Sequence, residues 1–101
     1  MNERVYITET GERVRERGGL VAVGLSAEAQ AALGTLVRFK PRSIGERVEA
    51  GDQLFVVEGT LTAAEFYSPI SGLITGCATN DAPIADWLVT LSQNWTGFVT
   101  W

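Results

Sequence analysis

Apolar and β-branched residues recur along this chain in short runs broken by glycine, proline and polar turns, the spacing expected of an all-β domain. Val5 to Thr8 reads as a first strand closed by Thr10-Gly11. Arg13 to Glu16 and Leu20 to Gly24 flank Arg17-Gly18-Gly19, which predicts a hairpin whose glycines supply positive φ. Only Ser26 to Gly34 reads as helix, with Ser26 as its cap, alanine in its interior and Gly34 as its stop; Leu25 and Leu33 are expected to pin it to a sheet. Thr35 to Lys40 alternates and ends at Pro41, with Leu36 and Arg38 facing one way and Val37 and Phe39 the other. Gly45 to Asp52 makes two turns around a short extended piece. Gln53 to Glu58 and Ala64 to Tyr67 form the arms of a second hairpin. Gly72 to Cys77 follows the Ser68-Pro69 break, Asn80 to Pro83 is a loop, and Asp86 to Leu91 closes the pattern with Trp87 in its core.

At 101 residues, 46% hydrophobic and 20% charged, the chain is expected to be one folded domain, residues 1–101. No apolar run is long enough for a membrane span, and the first residues lack a secretory pattern, so the expectation is a cytoplasmic protein without membrane contact. Net charge −4 disfavours nucleic acid, and Arg13, Arg15 and Arg17 are read as the solvated stripe of a strand. Cys77 stands alone, which excludes an internal disulfide and a cysteine zinc site; it is read as a small core residue, and no metal site is expected. Histidine is absent, which removes the usual base for a serine or cysteine nucleophile, and no catalytic residue is assigned. The expectation is not an enzyme.

Val56 to Gly72 reads Val-Val-Glu-Gly-Thr-Leu-Thr-Ala-Ala-Glu-Phe-Tyr-Ser-Pro-Ile-Ser-Gly. This resembles the lipoyl-attachment hairpin of the glycine cleavage system H protein family, roughly Val-Val-Glu-Ser-Val-Lys-Ala-Ala-Ser-Asp-Leu-Tyr-Ala-Pro-Val-Ser-Gly. The two agree without a gap at Val56, Val57, Glu58, Ala63, Tyr67, Pro69, Ser71 and Gly72. Further matches lie at Gly24-Leu25-Ser26, Ala29-Gln30, Leu33-Gly34, the Gly45-x-x-Val48-x-x-Gly51 pattern and Trp87-Leu88-Val89. The resemblance implies a lipoyl/biotinyl-type flattened β-sandwich, the barrel-sandwich hybrid, with one short helix and a core from about residue 13 to 91. The family's acidic loop before the last strand is shortened here to Ala82 to Ala85. The aromatic segment 92–101, with Trp95, Phe98 and Trp101, stands where the family has a long helix.

By this resemblance the family's attachment lysine falls on Leu61. Leucine has no nucleophilic atom, so covalent lipoate is excluded there and no cofactor is expected. Lys40, the only lysine, sits beside Pro41 with no turn motif around it and is read as a strand-end charge. The resemblance therefore implies a divergent, non-lipoylated module acting through protein contacts, a scaffold or regulator of glycine-cleavage or lipoate-transfer enzymes, with a homo-oligomer as another way to occupy the tip. Its docking candidates are Glu58, Gly59, Thr60, Leu61, Thr62 and Glu65, although Glu58 and Glu65 also read as plain solvated charges. The alternative is a working carrier in glycine cleavage or related one-carbon or sulfur metabolism, modified at Lys40 or represented by a lysine-to-leucine variant.

Overall fold

Gly18 and Gly19 take φ of 57° and 84°, so the chain reverses there without Cβ strain and Glu12–Arg17 (β2) pairs with Leu20–Leu25 (β3). The computed structural model describes residues 3–93; Trp95, Phe98 and Trp101 lie outside them. Glu3–Ile7 (β1) runs antiparallel to β2. Ala27–Leu33 (α1) begins where the Ser26 hydroxyl accepts the Ala29 N–H at 3.1 Å and stops at Gly34, φ 84°. Leu25 and Leu33 are both buried, as the sequence pattern predicts.

The remaining strands are Leu36–Pro41 (β4), Arg47–Val48 (β5), Gln53–Gly59 (β6), Ala63–Tyr67 (β7), Gly72–Cys77 (β8) and Val89–Ser92 (β9). They form two sheets, ordered β1-β2-β3-β9-β8-β5 and β4-β6-β7. Every pairing between them is antiparallel, so each strand can turn one face to the core and the other to water. The buried face of the larger sheet contributes Val14, Val21, Val23, Ile74, Val89 and Leu91; that of the smaller contributes Phe39, Phe55, Val57 and Phe66. Phe55 joins the aromatic group, edge-on to Phe39 at 5.5 Å and stacked on Phe66 at 5.4 Å.

Five expectations need correction. Val37 does not share a face with Phe39: a register shift between Leu36 and Arg38 leaves Val37 60% exposed while Phe39 is buried. The closing strand begins at Val89, not Asp86. Trp87 is half-buried at the surface, with the guanidinium carbons of Arg13 and Arg15 at 4.3 and 4.9 Å from its ring. Those two arginines are thus stacking partners and not a freely solvated stripe. Cys77 is exposed: it is the last residue of β8, beyond the register shift between Ile74 and Gly76, where the strand leaves the core.

Candidate functional site

The β6–β7 hairpin carries every docking candidate of the sequence analysis. Glu58 and Gly59 end β6, Thr60, Leu61 and Thr62 form the bend, and Glu65 lies in β7 opposite Val56. The hairpin's inner face is fixed by Phe55, Val57 and Phe66, all buried in the core. Gly59 N–H donates to the Thr62 carbonyl at 2.8 Å, which leaves Thr60 and Leu61 at the apex. Leu61 is 70% exposed, the most exposed large apolar side chain among the described residues.

The apex is not a free loop. A helix leaves its last carbonyls without intrahelical partners, and here the hairpin supplies one: Leu61 N–H donates to the Leu33 carbonyl at 3.0 Å. Thr60 N–H donates to the Thr35 carbonyl at 2.9 Å, and Thr35 N–H returns a bond to the Thr60 hydroxyl at 3.1 Å. The backbones can approach this closely only because residues 34 and 59 are glycines. A Cβ on Gly59 would lie 2.1 Å from the Leu33 carbonyl oxygen, and one on Gly34 would lie 2.4 Å from the Thr60 hydroxyl. Gly59→Ala therefore has to push the helix end from the apex. The expected cost is about 2 kcal/mol, read from urea unfolding, with faster amide exchange at Thr60 and Leu61.

Arg38, Lys40, Glu58 and Glu65 share the solvent face of the three-stranded sheet, since Arg38 pairs with Glu58 and Val56 pairs with both Lys40 and Glu65. Glu58 lies 3.5 Å from Lys40 Nζ and 4.0 Å from Arg38 Nε, and Glu65 accepts the Tyr67 hydroxyl at 3.1 Å. That hydrogen bond, followed by the Glu65 charge, raises the Tyr67 pKa. Two cations thus offset two anions below the apex. Glu58 and Glu65, read as docking candidates or as solvated charges, are electrically balanced, which leaves Leu61 as the dominant chemical feature of the tip. Exposed pairs of this kind contribute little stability, at most about 1 kcal/mol each.

The sequence reading did not foresee the latch from Leu33 and Thr35, although both glycines that permit it are visible as letters. Nor did it foresee Glu12, whose side chain crosses from the larger sheet to the smaller. Glu12 is 1% exposed; it accepts the hydroxyls of Thr8 and Thr10 on Oε1 and Tyr67 N–H on Oε2 at 2.9 Å. Tyr67 follows Phe66 in β7, so this carboxyl fixes the base of the hairpin while the helix end fixes its apex.

The profile of the family described as Glycine cleavage H-protein matches residues 5–91 of this chain. The glycine cleavage system H protein of Paraburkholderia phymatum is 40% identical over 91 aligned residues, covering 80% of this chain and 72% of that protein. That of Legionella pneumophila strain Corby is 43% identical over 82 residues, covering 81% of this chain and 63% of that protein. The chain thus spans about two thirds of the length of these relatives. The crystal structure of a glycine cleavage system H protein from Mycobacterium marinum superposes with a TM-score of 0.78 at 28% identity, covering 92% of this chain and 86% of that one. The two-sheet architecture with its single short helix is accordingly the lipoyl-type β-sandwich of that protein.

Proposed function

The chain belongs to the glycine cleavage H-protein family, and from that premise we propose that it is a non-lipoylated member acting by protein docking, without covalent chemistry of its own. One observation carries the reading: the side chain at the hairpin apex, where the family's attachment motif has lysine, is Leu61. Covalent lipoate requires an amine that can form an amide and stand clear of the fold. Leu61 has the exposure and lacks the amine. Lys40 has the amine and lacks the setting, since it stands within β4 opposite Val56 and is paired with Glu58. The residues present do not fit the prosthetic group, and no aminomethyl transfer is assigned to this chain.

What the hairpin retains is a shape. An apolar apex held by the helix end is pre-organised, so a partner that accepts it loses little conformational entropy in doing so. Enzymes of glycine cleavage or of lipoate transfer, which handle this hairpin in lipoylated relatives, are the partners that the reading names. The chain would then act as a competitor or scaffold for such enzymes and hold no reaction of its own.

A reconstituted glycine cleavage system with labelled glycine tests this. Supplied as the sole H protein, the chain is expected to support no release of label. Added in large excess over a lipoylated H protein, it is expected to slow release, and less so as Leu61→Asp. Turnover with the chain alone contradicts the non-carrier reading, and an undiminished rate in the mixture contradicts docking.

A further inference from the structure

Among the described residues, no strand pairs with the outer edge of β1. Thr8 N–H donates to the Glu12 carbonyl at 2.9 Å, and the β1–β2 register carries that pair back through Tyr6↔Val14 and Arg4↔Glu16. In an antiparallel ladder hydrogen-bonded pairs alternate with non-bonded ones, so Arg4 and Tyr6 point their backbone groups at β2. Glu3, Val5 and Ile7 then point theirs away, toward an edge on which no described strand lies. The neighbouring ladder agrees: Ser26 N–H donates to the Gly11 carbonyl at 2.9 Å, which in the β2–β3 register gives Arg13, Arg15 and Arg17 the bonds to β3 and frees Val14 and Glu16 for β1.

The fold blocks its other edges. On β4, Phe39 N–H is taken by the Asn80 side chain at 2.8 Å and Pro41 has no donor. On β7, Tyr67 N–H is taken by Glu12 at 2.9 Å, and β5 is two residues long. β1 has no proline, its two charges, Glu3 and Arg4, stand together at its first residues, and it exposes Val5 and Ile7 at 55% each.

We propose that two copies of this chain associate through β1, antiparallel about a two-fold axis at Val5. The register follows from the outward groups. Val5 meets Val5 of the second copy, and Glu3 meets Ile7, so every outward N–H and C=O on the three residues finds a partner. On the face shared with Val5 and Ile7, the two valines close over each other and no like charges stand opposed. On the other face, Arg4 of one copy stands opposite Tyr6 of the next. Arg4 already lies 4.8 Å over its own Tyr6 ring, within reach of both rings for a cation–π contact. The pairing consumes the edge it uses, so assembly stops at two.

Sedimentation velocity over a concentration series reads this directly. The wild-type chain is expected to pass from monomer to a species of twice its mass with nothing larger. Val5→Pro deletes an N–H that the monomer does not use, and proline is tolerated on an edge. Its far-UV spectrum is expected to stay native while the dimer's dissociation constant rises at least about tenfold. Val5→Lys, which sets two ammonium groups face to face on the axis, is expected to do the same and decides the matter if the proline variant loses its native spectrum. A wild-type chain monomeric throughout the series, or a natively folded variant that dimerises unchanged, overturns the proposal.

Discussion

Leu61→Lys is expected to turn this chain into a lipoate acceptor: co-expressed with a lipoate ligase, the variant gains a lipoyl adduct and the wild-type chain does not. The backbone at residue 61 is already placed, because its N–H is tied to the Leu33 carbonyl and the preceding Thr60 is tied to Thr35. The side chain is 70% exposed, so a longer, charged one enters water without displacing packing. Stability is therefore expected to change by no more than about 0.5 kcal/mol. Glu58 and the Val56-Val57 pair keep the spacing of the family motif before the apex. Intact mass reads the outcome. A natively folded Leu61→Lys chain that stays unmodified would place the loss of recognition in Gly59, Thr60 and Thr62, the departures from the motif that neighbour residue 61, and would contradict the claim that one missing amine separates this tip from an attachment site.

Glu12→Ala is expected to destabilise the fold by about 3 kcal/mol, the largest stability effect anticipated for any polar residue here. The carboxyl is buried and takes three donors: the hydroxyls of Thr8 and Thr10, and Tyr67 N–H at 2.9 Å. Truncation empties the buried site of the carboxyl and leaves Tyr67 N–H without its acceptor, while the exposed Thr10 and half-buried Thr8 hydroxyls can turn to water; an orphaned donor and the lost charged hydrogen bonds together cost on the order of 3 kcal/mol. For a domain of this size that corresponds to a fall in melting temperature of about 15 °C. Glu12→Gln keeps an acceptor for some of the three and is expected to lose less. Thermal unfolding followed by circular dichroism separates the two variants; an alanine variant that melts with the wild type would show that the tie between β2 and β7 is dispensable.

Much of this architecture was legible because the signals are local. Gly18 and Gly19 between two extended runs specify a turn, and Ser26 and Gly34 bound a helix by satisfying its own end groups. The hairpin was legible for a different reason: its letters resemble a known motif without a gap, and the structure sets the six candidates around one bend and its two arms. What escaped is non-local. Lys40 and Arg38 reach Glu58 only after β4 has paired with β6, so the ion pairs around Glu58 are not visible in the sequence. The bulge near Val37 shifts the alternation by one residue, and no feature of Leu36-Val37-Arg38 announces it. Cys77 was assigned by residue type to the core, whereas it ends β8 beyond a register shift and is exposed.

The central claim, that this apex carries no prosthetic group, is tested most directly by intact-mass spectrometry of the unaltered chain purified from cells that lipoylate a co-expressed H protein bearing the attachment lysine. The chain is predicted to appear at its unmodified mass while the co-expressed protein shows the lipoyl increment. A lipoyl increment on the chain itself, at Lys40 or anywhere else, would contradict the account.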